Sequence, residues 1–199
     1  LSNWTIHTMM IRSIILVILL QHCFDSTLGF SLFDSWKAPF ATAVDRKRVD
    51  ELKDLLLTKC EIGDREMVEK VIADLVPFSA VSNPSTSAAL QKKWLLLWTT
   101  EKEINLFSDW NLSGDITQTI DGAVLQNCIP FQSGGYLSVE GSLEPSGETR
   151  TFFQFTEASL AIGKFGPFKL PPIGKGWFDT VYLDEEFRID TNSRNDILI

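Results

Sequence analysis

Only a few residue types in this sequence are suited to catalysis, and their positions argue against it. The chain has two histidines, His7 and His22, which lie in or before an N-terminal segment whose pattern predicts removal. Without them the mature chain has no histidine. This excludes a Ser-His-Asp or Cys-His arrangement, a histidine-ligated metal and a histidine general base, and with them most common hydrolase mechanisms.

Cysteines and carboxylates do not replace the missing histidines. The cysteines, Cys23, Cys60 and Cys128, form no CxxC pair, so their spacing predicts neither a disulfide framework nor a four-thiolate zinc site. Close carboxylates exist, such as Glu101 and Glu103, but nothing in the sequence places two of them across a cleft. We therefore predict a protein that is not an enzyme, with no catalytic residue, no metal and no cofactor.

The composition describes one acidic globular domain. The chain has 199 residues, of which 44% are hydrophobic, 22% charged and 11% aromatic, which is enough apolar material for a core. Its formal net charge is -8, with 18 basic and 26 acidic residues. A basic surface is needed to meet phosphates, so general nucleic-acid binding is excluded as the expected function.

Residues 1–29 have the pattern of a secretory signal peptide. Arg12 precedes a short apolar run, 14–20, and small residues stand just before position 30. The run is shorter than the ~20 residues that a membrane-spanning helix needs. The sequence begins with Leu, and Met9 or Met10 is a suitable initiator. The alternative interpretation is a buried N-terminal helix.

Residues 30–43 have the pattern of a transit peptide that follows the signal peptide. Phe30 follows the predicted cleavage point, and a stretch with alanine and hydroxyl residues follows it. This arrangement resembles the two-part plastid-targeting sequence of algae with secondary plastids. The alternative is plain secretion.

Helical spacing predicts two helices between Val44 and about Leu75. Residues 61–64 interrupt the pattern, and Asp64 is suited to cap the second helix. The expected buried positions of both helices are Val49, Leu52, Leu55, Leu56, Leu57, Met67, Val68, Val71, Ile72 and Leu75.

From Trp94 onward the pattern changes to β-strands. Seven or eight short strands follow at regular spacing, the first at Trp94–Thr100, and Asp121-Gly122 is a hairpin turn signal. This spacing predicts an antiparallel barrel or sandwich. The fold class expected from the whole chain is α+β and mainly β.

Two stretches carry recognisable motifs. Residues 93–103 read KWLLLWTTEKE, and residues 174–184 read GKGWFDTVYLD and continue through Phe187-Arg188-Ile189. Ile120-Asp121, Gly122 and Asn127 lie between them at matching spacing. Over about residues 44–199, the chain resembles the fibrillins, the plastid lipid-associated proteins.

The resemblance implies a lipocalin-like antiparallel β-barrel after short N-terminal helices, in a domain spanning 44–199. It implies a plastid protein at thylakoids or plastoglobules, reached through the signal peptide, that binds or organises prenylquinones, carotenoids or other lipids. One departure is that Lys92 stands where the lipocalin Gly-x-Trp pattern has glycine.

Large side chains on the predicted strands are the candidate cavity lining. From strand position and size we expect Trp98, Phe153, Phe155 and Tyr182 to bind the ligand. Trp94 is expected to be barrel core. The same residues would also fill a barrel that holds no ligand, and a one-residue slip in register would invert the assignment.

Four residues are expected to be structural. Trp94 and Trp177 belong to the two motifs, Arg188 is expected to stack on Trp94, and Asp184 is expected to accept amide hydrogen bonds of a turn. The alternative role for Asp184 and Arg188 is to contact the head group of a ligand.

The aromatic segment around Phe165 and Phe168 suggests a surface contact. If these side chains are exposed, they form an apolar rim suited to a lipid monolayer or a partner protein. The alternative is a loop packed over the barrel. The main rival function is an interaction protein with a filled barrel, in which this loop or the helices dock a partner enzyme or a photosynthetic complex.

Overall fold

The N-terminal part folds into two helices where the helical spacing predicted them. The computed structural model describes residues 43–109, 114–171 and 174–199, so the predicted signal peptide and nearly all of the transit segment lie outside the described residues. Helix α1 spans Ala43–Glu61 and helix α2 spans Arg65–Leu75. The Asp64 carboxylate caps α2 by accepting the Met67 amide at 3.3 Å.

The buried face of α1 is narrower than the sequence predicted. Leu52 and Leu56, one helical turn apart, are buried, whereas Leu55 and Leu57 are 39% and 36% exposed. A helix buries only the stripe that faces its neighbour, and residues 55 and 57 lie on either side of Leu56. The expectation for Leu55 and Leu57 was therefore wrong.

Across the described residues, nine antiparallel strands follow in one sheet. A third helix, α3 (Lys102–Asp109), lies between the first two strands and was not predicted. The strands are β1 Lys93–Leu95, β2 Thr117–Asp121, β3 Val124–Pro130, β4 Gly135–Ser146, β5 Arg150–Ile162, β6 Phe165–Leu170, β7 Lys175–Leu183, β8 Arg188–Asn192 and β9 Ile197–Leu198. The predicted hairpin at Asp121-Gly122 is present, and Gly122 has the positive φ, 58°, that such a turn favours.

The strand order is β1-β2-β3-β4-β5-β7-β8-β9, and β6 pairs with the part of β5 that β7 leaves free. The chain just after β1 leaves β2 and pairs with β9. The Leu97 amide donates to the Ile199 carbonyl at 2.7 Å, and the Thr100 amide donates to Ile197 at 3.1 Å. The sheet therefore curls strongly into a half-barrel, and residues 97–100 link its first strand to its last. This confirms the predicted fold class.

Apolar clusters occupy both faces of the curled sheet. On the outer face, α1 and α2 pack against β7–β9 through a cluster that includes Leu56, Leu75 and Ile189. On the inner face, a second cluster includes Ile120 and Phe178. A third cluster holds β3–β6 together. The outer cluster fixes the helices, and the inner residues surround a cavity. In the described part of the chain, none of the helices has the length and apolar character needed to cross a membrane.

Candidate functional site

The curled sheet surrounds a cavity of about 870 Å³. Aromatic side chains form much of its wall. The rings of Phe153 and Phe155 lie 5.0 Å apart, and Phe178 stacks on Phe153 at 6.5 Å between centroids. Aliphatic residues of neighbouring strands complete the apolar wall, among them Leu125 and Val139. A cavity of this size and lining is typical of sites for small apolar molecules.

Strand register explains why polar and apolar groups share this wall. Trp94, Gln118, Asn127, Val139 and Ala158 are consecutive cross-strand partners on β1 to β5, and all five line the cavity. The Gln118 amide donates to the Asn127 side-chain oxygen at 2.9 Å. This layer therefore presents an amide pair beside an aromatic ring.

Phe153 and Phe155 line the cavity, where alternation along the strand placed them. They are two residues apart on β5 and share a face, whereas Phe152, which directly precedes them, is 43% exposed. The sequence argument did not include Phe178 in the lining. Alternation along β7 places Phe178 on the face opposite to its neighbour Trp177. The same reasoning that identified Phe153 and Phe155 could therefore have identified it.

Tyr182 lies outside the cavity. Simple alternation from Phe178 would place Tyr182 on the inner face, but a bulge between Thr180 and Tyr182 shifts the register. Tyr182 is instead buried in the cluster beneath the helices, with Leu52 of α1. Its position follows from the bulge, which strand periodicity does not reveal.

Trp98 is also absent from the cavity wall. The Leu97 and Trp98 amides both donate to the Ile199 carbonyl, at 2.7 and 3.2 Å. Consecutive amides of a regular strand point in opposite directions. The alternation of side chains between the two faces is therefore interrupted where the chain stops pairing with β2 and begins to pair with β9. Trp94 thus faces the interior, whereas Trp98 packs against the helix-side cluster. Four positions apart on one regular strand they would share a face, and the change of partner strand prevents this.

A buried ion pair lies in the cavity wall. Arg188 lines the cavity with only 7% of its side chain exposed, and its Nη2 donates to Asp190. The other Asp190 oxygen accepts the Thr180 hydroxyl at 2.8 Å. The Arg188 Nε has no hydrogen-bond acceptor. Its guanidinium carbon lies 5.8 Å from the centroid of the Trp94 ring, on which the sequence analysis expected it to stack; this distance is within cation–π range.

Trp94 is both structural and part of the cavity wall. Its indole Nε1 donates to the Leu90 carbonyl at 3.0 Å, which fixes the ring. Lys92 lies over the same ring at 5.2 Å and donates to the Glu185 carbonyl at 2.8 Å. The residue that departs from the Gly-x-Trp pattern therefore ties β1 to the turn between β7 and β8.

Asp184 holds that turn together outside the cavity. Its Oδ1 accepts the amides of Glu186 and Phe187 at 2.9 and 2.7 Å, as expected of a turn residue. Its Oδ2 accepts the Tyr182 hydroxyl at 2.7 Å and Lys53 of α1 at 2.5 Å. Burial pushes the pKa of Asp184 upward, but these hydrogen bonds outweigh it and hold the pKa below its ordinary value.

Trp177 lies on the other face of β7, away from the cavity wall. The Arg150 guanidinium stacks 3.7 Å from its ring centroid and forms two hydrogen bonds, 2.9 and 2.7 Å, with the Asp179 carboxylate. This arrangement joins β5 to β7, which is a structural role.

A charged cluster lies at one end of the cavity, where α3 begins. Arg194 contacts Glu103 at 2.9 Å, Glu101 at 3.4 Å and Asp196 at 3.2 Å, and Asn192 donates to Glu101 at 2.6 Å. Burial raises the pKa of Glu101 above its ordinary value, despite the nearby Arg194. The sequence argument missed this cluster, because its members come from segments about ninety positions apart.

The carboxylates of the cavity wall are of two kinds. Glu101, Glu103 and Asp190 are each engaged by a neighbouring arginine. Glu185 and Glu186 are exposed in the turn between β7 and β8. Within residues 43–109, 114–171 and 174–199, no group of three or more His, Cys, Asp or Glu side chains is placed to hold a metal ion. What the arrangement can do is bury an apolar molecule and donate hydrogen bonds to it.

Comparison with known proteins points to one family. The model of the PAP_fibrillin family matches residues 56–199. The chain is also similar to "Probable plastid-lipid-associated protein 11, chloroplastic" from Arabidopsis thaliana, with 39% identity over 127 residues. That match covers 59% of this chain and 58% of the relative, so the chain spans little more than half of the relative's length. No solved structure matches the chain significantly.

Proposed function

This chain belongs to the PAP_fibrillin family, and from that premise we propose that it binds a hydrophobic plastid molecule in the cavity of its curled sheet. A prenylquinone, a carotenoid or another lipid is the class of ligand. The role is non-catalytic: the protein holds or shields the molecule.

The cavity is the observation that carries this proposal. Its volume of about 870 Å³ suits a small apolar molecule, and Phe153, Phe155 and Phe178 offer a continuous aromatic wall. Burial of apolar ligand surface contributes about 25 cal/mol per Å² before the entropic costs of binding. Aromatic walls supported by β-strands are largely preformed, which lowers those costs.

The location follows from the same family membership and from the N-terminal sequence. We propose that residues 1–29 and 30–43 direct the chain to a plastid, as the name "chloroplastic" of the relative supports. Thylakoid membranes or plastoglobules are the proposed sites, because both contain hydrophobic molecules of the proposed ligand class.

An exposed hairpin supports contact with a lipid surface. Phe165 is 74% and Phe168 52% exposed on β6, which pairs with the end of β5 beyond Ala158. Lys164 directly precedes Phe165, and Lys169, which pairs with Glu157 at 3.0 Å, directly follows Phe168. Phenylalanine inserts into the boundary of a lipid layer, and lysine favours its anionic head groups.

The rival function requires a filled barrel that docks a partner protein. A cavity of about 870 Å³ is more consistent with a bound small molecule than with a filled interior. We therefore favour the carrier over the scaffold.

The test is to incubate the purified protein with a plastid lipid extract, re-purify it and identify bound molecules by mass spectrometry. A stoichiometric hydrophobic molecule is expected. Phe155→Ala should lose it, whereas Phe152→Ala, a change on the opposite face of the same strand, should retain it. A folded wild-type protein that retains nothing contradicts the proposal and favours the scaffold.

A further inference from the structure

We propose that the cavity selects a ligand whose head carries a neutral carbonyl oxygen, which accepts a hydrogen bond from Arg188. This inference rests on the proposed function and names the chemistry of the ligand more closely. It starts from Arg188, a cation whose side chain is only 7% exposed in the cavity wall.

Arg188 is an unusual group for an apolar binding wall. A buried guanidinium loses hydration, and this loss is offset only where its donors find acceptors. Guanidinium carries five N–H donors, yet among residues 43–109, 114–171 and 174–199 its one acceptor is Asp190. Its Nε has no acceptor. The Nε itself is fully buried, so a ligand in the cavity meets the terminal nitrogens of the guanidinium.

The rings around Arg188 hold its guanidinium in place. Its central carbon lies 5.0 Å from the Phe178 centroid and 5.8 Å from that of Trp94. Trp94 is itself fixed by its bond to Leu90. Because the donor is preorganised, a ligand acceptor that reaches it needs little rearrangement of the wall.

The charge balance favours a carbonyl over a carboxylate. Asp190 already neutralises Arg188, and the Thr180 hydroxyl completes the Asp190 hydrogen bonds. A ligand carboxylate would bring a second negative charge beside Asp190 in a poorly hydrated site. A neutral carbonyl accepts the hydrogen bond without that cost. The amide pair of Gln118 and Asn127 adds neutral polar groups to another wall.

The test compares three probes with one tail: a benzoquinone with a ten-carbon alkyl chain, the corresponding alkylbenzene, and the corresponding fatty acid. Affinities are measured by fluorescence titration. The wild-type chain should bind the quinone at least about tenfold more tightly than the alkylbenzene, the scale of one hydrogen bond to a charged group.

Arg188→Lys keeps the cation for Asp190 but removes the planar donor set. It should abolish the preference for the quinone over the alkylbenzene, and circular dichroism checks that the variant is folded. Arg150→Lys is the matched control, since Arg150 also pairs with an aspartate and stacks on a tryptophan, but outside the cavity. It should keep the full preference.

A measurement on the wild-type complex tests the same bond without a substitution. Infrared spectroscopy should show the carbonyl stretch of the bound quinone at lower wavenumber than in an apolar solvent. An unshifted stretch, equal binding of quinone and alkylbenzene, or tightest binding of the fatty acid would overturn the inference while leaving the proposed function standing. Failure of all three probes to bind wild-type protein would overturn the proposed function and this inference together.

Discussion

The Tyr182 hydroxyl and Lys53 of α1 bind the same oxygen of Asp184, at 2.7 and 2.5 Å. Because Tyr182 points away from the cavity, this oxygen connects the outer face of the sheet to the first helix. Burial raises the pKa of Tyr182, and the bond to Asp184 raises it further, so the phenol stays protonated and remains a donor. The helices are thus fastened to the strand that also carries Phe178.

Asp184→Asn should lower the free energy of unfolding at pH 7 by about 1–3 kcal/mol, because Lys53 loses its buried partner. The folded-state pKa of Asp184 is lowered, so its contribution is complete above the unfolded pKa of about 4 and is lost as the pH falls below that value. Urea unfolding at pH 7 and at pH 3 should therefore show a difference between wild type and variant that shrinks in acid.

Glu51→Gln is the control for that experiment. Glu51 pairs with Lys47 on the exposed side of α1, at 3.8 Å. Exposed pairs of this kind contribute about 0.5 kcal/mol or less. A loss of stability as large as that of Asp184→Asn would show that the measurement reports general charge effects rather than the turn.

Glu101→Gln should give the opposite pH dependence. The folded-state pKa of Glu101 is raised, so its contribution to stability is complete below the unfolded pKa of about 4.3 and is lost as the pH rises through the folded pKa. The variant should therefore be at least as stable as wild type at pH 7. Thermal melts between pH 4 and pH 7 measure this, and marked destabilisation at pH 7 would show that its bonds to Arg194 and Asn192 outweigh burial.

Trp98→Ala should weaken the fold without changing the chemistry of the cavity. Trp98 packs half-buried against the helix-side cluster, so its removal should cost about 3 kcal/mol in the free energy of unfolding. Ligand affinity, measured at a temperature where the variant is folded, should stay within about twofold of wild type. Phe155→Ala supplies the contrast, since its main effect should be on ligand affinity.

Replacing Phe165 and Phe168 together by serine should abolish binding to lipid vesicles. Both side chains are exposed, so stability should change by less than about 1 kcal/mol. Flotation with phosphatidylcholine vesicles containing some phosphatidylglycerol measures the binding. Phe152→Ser, which removes another exposed ring, should float like wild type. If Phe152→Ser loses vesicle binding to the same extent as the double variant, the binding depends on general surface hydrophobicity and not on the Phe165 and Phe168 rings.

The sequence predicted the buried faces of elements whose helical spacing or strand alternation is uninterrupted. The stripe Val68, Val71, Ile72 and Leu75 is buried as helical spacing required. Phe153 and Phe155 share an inner face because β5 is regular over that stretch. At these positions the local period is sufficient to determine the environment.

Two lining predictions failed where that period is interrupted. The bulge before Tyr182 and the change of partner strand at Trp98 each invert the following side chain. Both irregularities depend on distant pairing, with β8 in one case and β9 in the other. The role of Arg188 beside Asp190 was likewise out of reach, because it requires knowledge of which residues surround the cavity.

The link between residues 97–100 and β9 also affects how the protein folds. Thr99 bridges Leu198, two positions separated by about half of the chain. Contacts of such long range cost loop-closure entropy before they return any energy, and they slow folding. In the folded protein the same contacts close the sheet at this edge, so any opening of the sheet here has to break the hydrogen bonds between residues 97–100 and residues 197–199.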